Sequence, residues 1–244
     1  MSIAFDLHTH TLNSGHAYST LEELAAYVST TEISGFAVTD HGPAMPGAPV
    51  DLYFLNQRSL PRKINDVIVL RGAEVNILDF NGKVDLNKGV LKKLDICIAS
   101  FHVNTRAPGT CSEHTAAWEA VVQNPLIDIL GHPGRGDFQF DYEHIVRMCK
   151  QYNKMIEINN HTLDRPQYHD DCIKIAKACK QYGASVIISS DAHFSRHVGR
   201  ILFAEALLAE IDFPEELILN RSKGKVIEWL KLRKPHFAAE YAEL

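Results

Sequence analysis

The sequence has few cysteines and no spacing that would pair them. Its five cysteines are an odd number, and no two of them form a Cys-X-X-Cys pair. This pattern argues against a disulfide framework, because such frameworks usually use an even set of cysteines. We therefore expect a protein of the reducing cytoplasm.

A basic excess, long apolar runs and a flexible linker are also missing. The formal net charge of −5 argues against a protein that coats nucleic acid, although it allows a small phosphorylated substrate. The N-terminus MSIAFDLHTH has no cationic signal region. No apolar stretch approaches the ~18 residues that a membrane span needs. We expect no membrane partner and a single domain over residues 1–244.

What the sequence does contain is an alternation of short apolar runs with segments of helical periodicity. The predicted strands are Ile3–Leu7, Gly35–Thr39, Val67–Ala73, Asp95–Ser100, Ile127–Gly131, Met155–Asn159 and Ser185–Ser190. The predicted helices include Thr20–Thr31, His114–Gln123, Asp141–Tyr152 and Asp170–Tyr182. Near-continuous apolar strands that alternate with helices indicate parallel strands covered on both sides.

Seven such units without a break favour an α/β barrel that is closed or nearly closed, and a doubly wound open sheet is the alternative. Thr20 with Glu23 forms a capping-box pattern, and Gly183 is placed to end a helix. Near the C-terminus, Asp212 followed by Pro214 suggests a helix cap with proline in the first turn. A packing helix is expected around Val226–Leu232.

The chain has 13 histidines, and many of them stand where a predicted strand ends. Six of the seven predicted strands finish in histidine, glutamate or aspartate, and the residues at these ends are His8, His10, His41, Glu74, His102, His132, Asp191 and His193. The carboxyl ends of parallel barrel strands converge on one face, where active sites lie. These side chains are therefore expected to meet in one cavity.

Residue types and spacing within this set favour metal binding. Residues i and i+2 of a strand face the same side, so His8 and His10 can hold one ion together, and Asp191 with His193 repeats the pattern. Glu74 could bridge two ions. A histidine with a purely structural role is the expectation for His114, His144, His169 and His236, which lie on predicted helices or in the tail, whereas His161 and His197 are left open.

Five ordered motifs resemble those of the PHP (polymerase and histidinol phosphatase) family, most closely its YcdX-like phosphatase branch. They are Asp6-Leu7-His8-Thr9-His10-Thr11, His16-Ala17-Tyr18-Ser19-Thr20, Thr39-Asp40-His41-Gly42, Gly131-His132-Pro133-Gly134 and Ser190-Asp191-Ala192-His193. The resemblance extends over nearly the whole chain and implies a distorted seven-stranded (β/α)7 barrel with three metal ions at its mouth. The metal is expected to be Zn²⁺, with Mn²⁺ or Fe²⁺ as substitutes.

The resemblance also implies which residues hold each ion. The first ion would be held by His8, His10, Glu74 and Asp191, the second by Glu74, His102 and His132, and the third by His16, His41 and His193. His16 enters this set through the resemblance alone.

The function implied is that of a phosphomonoesterase in which metal-activated water attacks phosphorus. The expected catalytic residues are His8, His10, Glu74, His132, Asp191 and Asp40. Asp40 and Asp6 could each orient a ligand histidine or serve only as a turn carboxylate. The arginines in predicted loops or early helix turns are Arg58, Arg62, Arg106, Arg135 and Arg196. Of these, Arg58 and Arg106 are the expected contacts of the phosphate.

Other functions are compatible with parts of this pattern. An amidohydrolase-like enzyme would commonly use a bridging lysine, but no predicted strand ends in lysine. A phosphodiesterase or nuclease of the PHP type would be expected to show a more basic surface. A non-catalytic, metal-stabilised barrel is a further alternative, against which the complete ligand set argues. The expected partner is a small phosphorylated molecule rather than nucleic acid, and the sequence is compatible with a homo-oligomer.

Overall fold

The structure, a computed structural model, describes residues 3–241. The strands are β1 (Phe5–Thr9), β2 (Gly35–Val38), β3 (Lys63–Ile64), β4 (Val67–Asn76), β5 (Ile96–Ser100), β6 (Ile129–Leu130), β7 (Met155–Asn159) and β8 (Val186–Ser189). The helices are α1 (Leu21–Val28), α2 (Asp51–Asn56), α3 (Lys88–Leu91), α4 (Cys111–Gln123), α5 (Tyr142–Gln151), α6 (Asn160–Leu163), α7 (His169–Tyr182), α8 (Leu202–Glu210), α9 (Lys223–Arg233) and α10 (Pro235–Tyr241).

Seven of the described strands form a parallel sheet in the order β1-β2-β4-β5-β6-β7-β8, and β3 adds an antiparallel pairing to β4. The sheet curls until its ends meet. Thr9 forms a parallel bridge with Ala192, and the His10 amide donates to the Ala192 carbonyl at 2.8 Å. The expected distorted (β/α)7 barrel with outer helices is therefore confirmed.

The strands are apolar along their length because both of their faces are covered. Every residue of β1, β4, β5 and β7 is buried. Phe5, Leu70 and Ile98 belong to one hydrophobic cluster, whereas Val75 and Ala99 belong to another that includes the helical Trp118. Burial on both faces explains why these strands lack the polar alternation of a half-exposed sheet.

Local signals set several helix ends as expected. Thr20 and Glu23 form the reciprocal hydrogen bonds of a capping box at the start of α1. Gly183 ends α7 with a φ of 65°, a left-handed conformation that glycine adopts without strain from a Cβ.

The C-terminal helices close the amino-terminal end of the barrel. Trp229 and Phe237 pack in the same cluster as Phe5 of β1, which confirms the packing helix expected around Val226–Leu232. The expected cap at Asp212 is wrong. Asp212 has a φ of 48° just beyond α8, and the next short 3-10 helix begins after Pro214 without a side-chain cap.

The helices of residues 3–241 are short or carry many polar side chains. None of them is both long enough and apolar enough to span a membrane.

Candidate metal centre

Loops and strand ends at the carboxyl side of the barrel bring the expected ligand residues together. Neighbouring imidazole centroids lie 4.3–5.0 Å apart in a continuous chain that runs His132, His102, His41, His16, His193, His10 and His8. Residues up to 185 positions apart in sequence thus share one small volume, as the convergence of parallel strands predicts.

Glu74, near the end of β4, lies at the centre of this cluster and is fully buried. Its Oε1 atom is 2.7 Å from Nε2 of His132 and 3.2 Å from Nε2 of His102. Its Oε2 atom is 2.6 Å from Nδ1 of His41 and 3.4 Å from Nε2 of His8. Burial opposes the ionised form, but the surrounding imidazoles hold the pKa of Glu74 well below its usual value. The carboxylate therefore carries a negative charge.

Five buried atoms in the cluster have no hydrogen-bond partner among residues 3–241. They are Nε2 of His8, Nε2 of His10, Nδ1 of His41, Nε2 of His102 and Oε2 of Glu74. The 2.6 Å approach of His41 to Glu74 lacks hydrogen-bond geometry, so both of its atoms stay in this group. Leaving a buried polar atom unpaired costs about 1–3 kcal/mol. A set of imidazole nitrogens and carboxylate oxygens aimed at one another fits divalent ions such as zinc.

The ligand atoms divide into overlapping groups in which all atoms lie within 4.8 Å of one another. These groups are His8 with His10 and Asp191, His10 with His41 and His193, and His41 with Glu74 and His102. The remaining two expected ligands border the groups: Nε2 of His16 lies 3.3 Å from Nε2 of His41, and His132 contacts Glu74.

Fixed acceptors determine which nitrogen of four imidazoles carries the proton. Nδ1 of His8 donates to Glu157 at 2.6 Å, and Nδ1 of His193 donates to the carbonyl of Asp191 at 2.9 Å. Nδ1 of His10 lies 2.8 Å from Ser14, and Nδ1 of His102 lies 2.8 Å from Asn76. A neutral imidazole that donates from Nδ1 presents a bare Nε2 lone pair, the form that binds metal.

Glu157 belongs to the site although the sequence analysis assigned it no role; its stretch Glu157-Ile158-Asn159-Asn160 is part of the family resemblance. Its carboxylate accepts hydrogen bonds from Nδ1 of His8, from Ser189 Oγ at 2.5 Å and from the His132 amide at 2.5 Å. One sequence signal could have found it, because Glu157 is the sole charged residue in the apolar strand Met155–Asn159. A lone carboxylate in a strand covered on both faces needs buried donors.

Asn76 and Asp85 orient His102 in a similar way. The Asn76 amide nitrogen donates to the Gly42 carbonyl at 3.1 Å and to Asp85 at 2.6 Å. Because both of these partners are acceptors, the oxygen of the Asn76 amide must face His102 and accept from its Nδ1.

Asp40 and Asp6 occupy different kinds of position. Asp40 is buried behind the cluster, where it accepts from Ser14 Oγ at 2.6 Å, from Thr11 and from Tyr53. It reaches His10 only through Ser14. Asp6, in β1, accepts from Ser190, from the Gly199 amide and from the His8 backbone amide, and no imidazole nitrogen of residues 3–241 bonds to its carboxylate.

Burial and neighbouring charges shift the pKa values of the cluster's histidines in different directions. Burial lowers the pKa of His132 to about 4, and Arg135 adds to this shift. Burial, with His193 and His41 nearby, also lowers the pKa of His10 well below its usual value. At His8 burial acts in the same direction, but three carboxylates outweigh it and raise the pKa well above the usual value. The three carboxylates around His8 thus favour a positive charge at this position, which a bound cation at Nε2 would supply in place of a proton.

Two of the expected ligand positions have left-handed backbone conformations. His132 has a φ of 28° and Asp191 has a φ of 54°. Such conformations in residues other than glycine cost about 1–3 kcal/mol and occur preferentially at functional sites. Contacts hold both residues in place: Glu157 accepts from the His132 amide, and Arg135 donates to Asp191 at 3.1 Å.

A cavity of about 400 Å³ opens over the cluster. Its lining includes five of the expected ligand histidines, Asp191, and a wall that contains Arg135, His161 and Arg165. The expected phosphate contacts lie elsewhere. Arg58 is exposed and does not line the cavity, and the guanidinium of Arg106 lies 4.2 Å above the Phe80 ring.

The histidines expected to be structural lie outside this cavity. His114 bonds to Gln139 and Gly109, His144 pairs with Glu119 at the surface, and His236 contacts Asp95. Of the two left open, His161 lines the cavity and His197 does not.

Fold and site together define a parallel barrel protein with a candidate metal centre at its mouth. A family model described as the PHP domain matches residues 6–240, and the chain belongs to the PHP domain family. The family expected from the motifs is therefore confirmed.

The sequence similarity to curated relatives covers almost the entire length of both chains. A protein named "Probable phosphatase" from Caldicellulosiruptor bescii is 42% identical over 233 residues, which cover 95% of this chain and 97% of that protein. Another of the same name from Acetivibrio thermocellus is 43% identical over 235 residues, covering 96% and 98%.

A solved structure shares the fold at lower identity. It is described as histidinol phosphate phosphatase from Lactococcus lactis in complex with zinc, L-histidinol and phosphate. The TM-score is 0.59 at 16% identity, with 86% of this chain and 94% of that chain covered.

Proposed function

We propose that this protein is a metal-dependent phosphatase that hydrolyses phosphate monoesters at a centre for three zinc ions. The observation that carries the proposal is the convergence of buried, unpartnered ligand atoms around the ionised Glu74. The names of the relatives agree with it, as do the zinc and phosphate bound by the Lactococcus lactis enzyme.

Contacts within the cluster support an assignment of its residues to the ions. His8, His10, Glu74 and Asp191 would hold the first ion, Glu74, His102 and His132 the second, and His16, His41 and His193 the third. When bound, the ions would lower the pKa of water and neutralise charge on the phosphoryl oxygens.

The protein itself supplies orientation and fixed charge. Glu157, Ser14 and Asn76 keep Nδ1 of three histidines protonated, so that their Nε2 atoms face inward. Arg135 lines the cavity beside Asp191, where its guanidinium can donate to a phosphoryl oxygen. Asp40, expected to be catalytic, is instead assigned the positioning of His10 through Ser14.

The reaction needs water as its only second substrate. A water oxygen forms a bond to phosphorus, the ester P–O bond breaks, and the leaving alkoxide takes a proton, which yields an alcohol and phosphate. The cavity floor lies at the carboxyl ends of the strands, the face on which barrel enzymes place their reacting groups.

Metal analysis of the purified protein beside a panel of phosphate monoesters and diesters tests the proposal. Near three ions per chain with turnover of p-nitrophenyl phosphate is the expected result. A preference for diesters would favour a nuclease-type PHP enzyme instead.

The variant His132→Ala should lose bound metal and turnover, because it removes a nitrogen 2.7 Å from Glu74. His144→Ala is a matched control, since His144 also pairs with a glutamate but at the surface. Unchanged activity of pure His132→Ala protein would reject the assigned centre.

A further inference from the structure

The cavity is larger than a phosphoryl group requires. Its volume of about 400 Å³ lies in the range of ~300–1,000 Å³ that is typical of small-molecule sites. Beyond the floor of ligand residues it has walls that would surround the remainder of a bound ester. The chemistry of these walls therefore bears on the leaving group.

The guanidinium of Arg165 lies in the cavity wall and has no carboxylate partner among the described residues. Arg165 donates to Nε2 of His161 at 3.1 Å, and no carboxylate among residues 3–241 forms an ion pair with it. His161 in turn lies beside the floor, with its ring centroid 5.8 Å from that of His193. Arg165 thus stands one imidazole away from the proposed metal centre.

The hydrogen bond also defines the charge of this wall. Because Nε2 of His161 accepts from a guanidinium, His161 is neutral. Burial lowers the pKa of His161, which agrees with that state. Asp137 is the one carboxylate among the wall residues, and it accepts a hydrogen bond from Tyr168 at 2.8 Å. Asp191 also lines the cavity but pairs with Arg135, so Arg165 is the one arginine of the described lining that has no carboxylate partner.

Part of the cavity lining is apolar. It includes Met45, Phe101, Val103 and Phe138, and the rings of Phe101 and Phe138 stack with centroids 4.6 Å apart. These four residues offer no ion pair to a charged leaving group. A carbon skeleton can pack there while a charged substituent turns toward the arginines.

We infer that the leaving group of the natural substrate carries a second anionic group, a carboxylate or another phosphate, and that Arg165 binds it. Arg165 is then a specificity-determining residue for the proposed phosphatase reaction, on which this inference rests. Arg135 remains with Asp191 and the phosphoryl group being transferred. A leaving group with a cationic substituent would be disfavoured by the same wall.

Three two-carbon phosphate monoesters that differ in charge test this inference: phosphoglycolate, ethyl phosphate and phosphoethanolamine. The zinc-loaded wild-type protein should show the highest kcat/KM with phosphoglycolate and the lowest with phosphoethanolamine. In Arg165→Gln the preference for phosphoglycolate over ethyl phosphate should fall up to about fivefold, the size of one ion pair at an exposed arginine.

Two further variants separate charge from structure. Arg165→Lys should keep most of the preference, because it keeps the positive charge. Arg147→Gln, on an exposed α5 arginine away from the cavity, should leave all three values unchanged.

Equal turnover of phosphoglycolate and ethyl phosphate by the wild type would overturn the inference while leaving the phosphatase proposal intact. An unchanged preference in Arg165→Gln would overturn the role of Arg165. If none of the three esters nor p-nitrophenyl phosphate is hydrolysed, the proposed function itself fails and the inference with it.

Discussion

The hydroxyl of Ser14 fixes the proton of His10. Ser14 Oγ lies 2.6 Å from the buried Asp40 carboxylate and 2.8 Å from Nδ1 of His10. An ionised carboxylate can only accept, so the hydroxyl proton points to Asp40 and the oxygen accepts from Nδ1–H. Nε2 of His10 is therefore left without a proton and faces Asp191 at 3.1 Å.

Replacing Ser14 with alanine tests this relay. Ser14→Ala should weaken zinc binding about 10- to 100-fold, the usual effect of losing a partner that orients a ligand histidine. The reason is that His10 loses the acceptor that holds both its ring and its tautomer. Competition with a chromophoric zinc chelator measures the affinity, and circular dichroism checks the fold.

Ser29→Ala is the matched control for this variant. Ser29 is exposed at the end of α1, and its hydroxyl donates to the Ala26 carbonyl. Its zinc affinity should equal that of the wild type. If Ser14→Ala also binds zinc with wild-type affinity, the relay has no role in the centre.

Glu157 is expected to act on His8 in the same manner. Although burial favours the neutral acid, His8 lowers the pKa of Glu157, so the carboxylate is ionised and accepts from three donors. Glu157→Gln places an amide NH₂ where an acceptor is needed. We expect the zinc affinity and kcat each to fall at least about tenfold.

The surface pair of His144 and Glu119 supplies a control with the same N–O distance. Its N–O distance is also 2.6 Å, but both side chains are more than two-fifths exposed. Glu119→Gln should therefore leave zinc binding and kcat unchanged. Wild-type values in Glu157→Gln would contradict the role of Glu157, and a loss in both variants would indicate a general effect on folding.

Much of the barrel could be predicted because its strands are buried on both faces. Met155–Asn159 has the predicted bounds, since its apolar run coincides with its hydrogen-bonded length. In contrast, β6 pairs only at Ile129 and Leu130, although the apolar run begins at Ile127. Residue types predict which segments are buried, but the length of a strand also depends on which of its residues can form hydrogen bonds with the neighbouring strands.

From the residues alone, only the ligands at strand ends could be predicted, because parallel strands place their carboxyl ends on one face of the barrel. Histidines at strand ends had to converge, whatever the details of the loops. Arg165 and Glu157 had no such signal: Arg165 follows the short helix α6, and Glu157 lies inside a strand. Arg58 and Arg106, the expected phosphate contacts, lie in segments whose paths the sequence does not specify, and neither lines the cavity.

At the opposite end of the barrel, Asp95 anchors the C-terminal helices. The buried Asp95 carboxylate pairs with Arg62 and His236, and accepts from the Arg71 amide at 2.8 Å. Burial opposes ionisation, but His236 and Arg62 lower the pKa of Asp95 below its usual value. Asp95→Asn should reduce the free energy of unfolding at pH 7 by about 3 kcal/mol, because Arg62 stays largely buried without its main partner.

The sign of the pH dependence follows from the lowered pKa. Asp95 contributes fully above its unfolded-state pKa of about 3.9, and the contribution is lost as the pH falls through the lower folded-state value. The difference between wild type and Asp95→Asn should therefore shrink as the pH falls below about 4. Urea unfolding with a chelator present at every pH measures this difference without a contribution from bound metal. The control Glu143→Gln, at an exposed ion pair, should lower the free energy of unfolding by less than about 1 kcal/mol. A difference that grows on acidification would mean that the folded protein holds Asp95 in its protonated form.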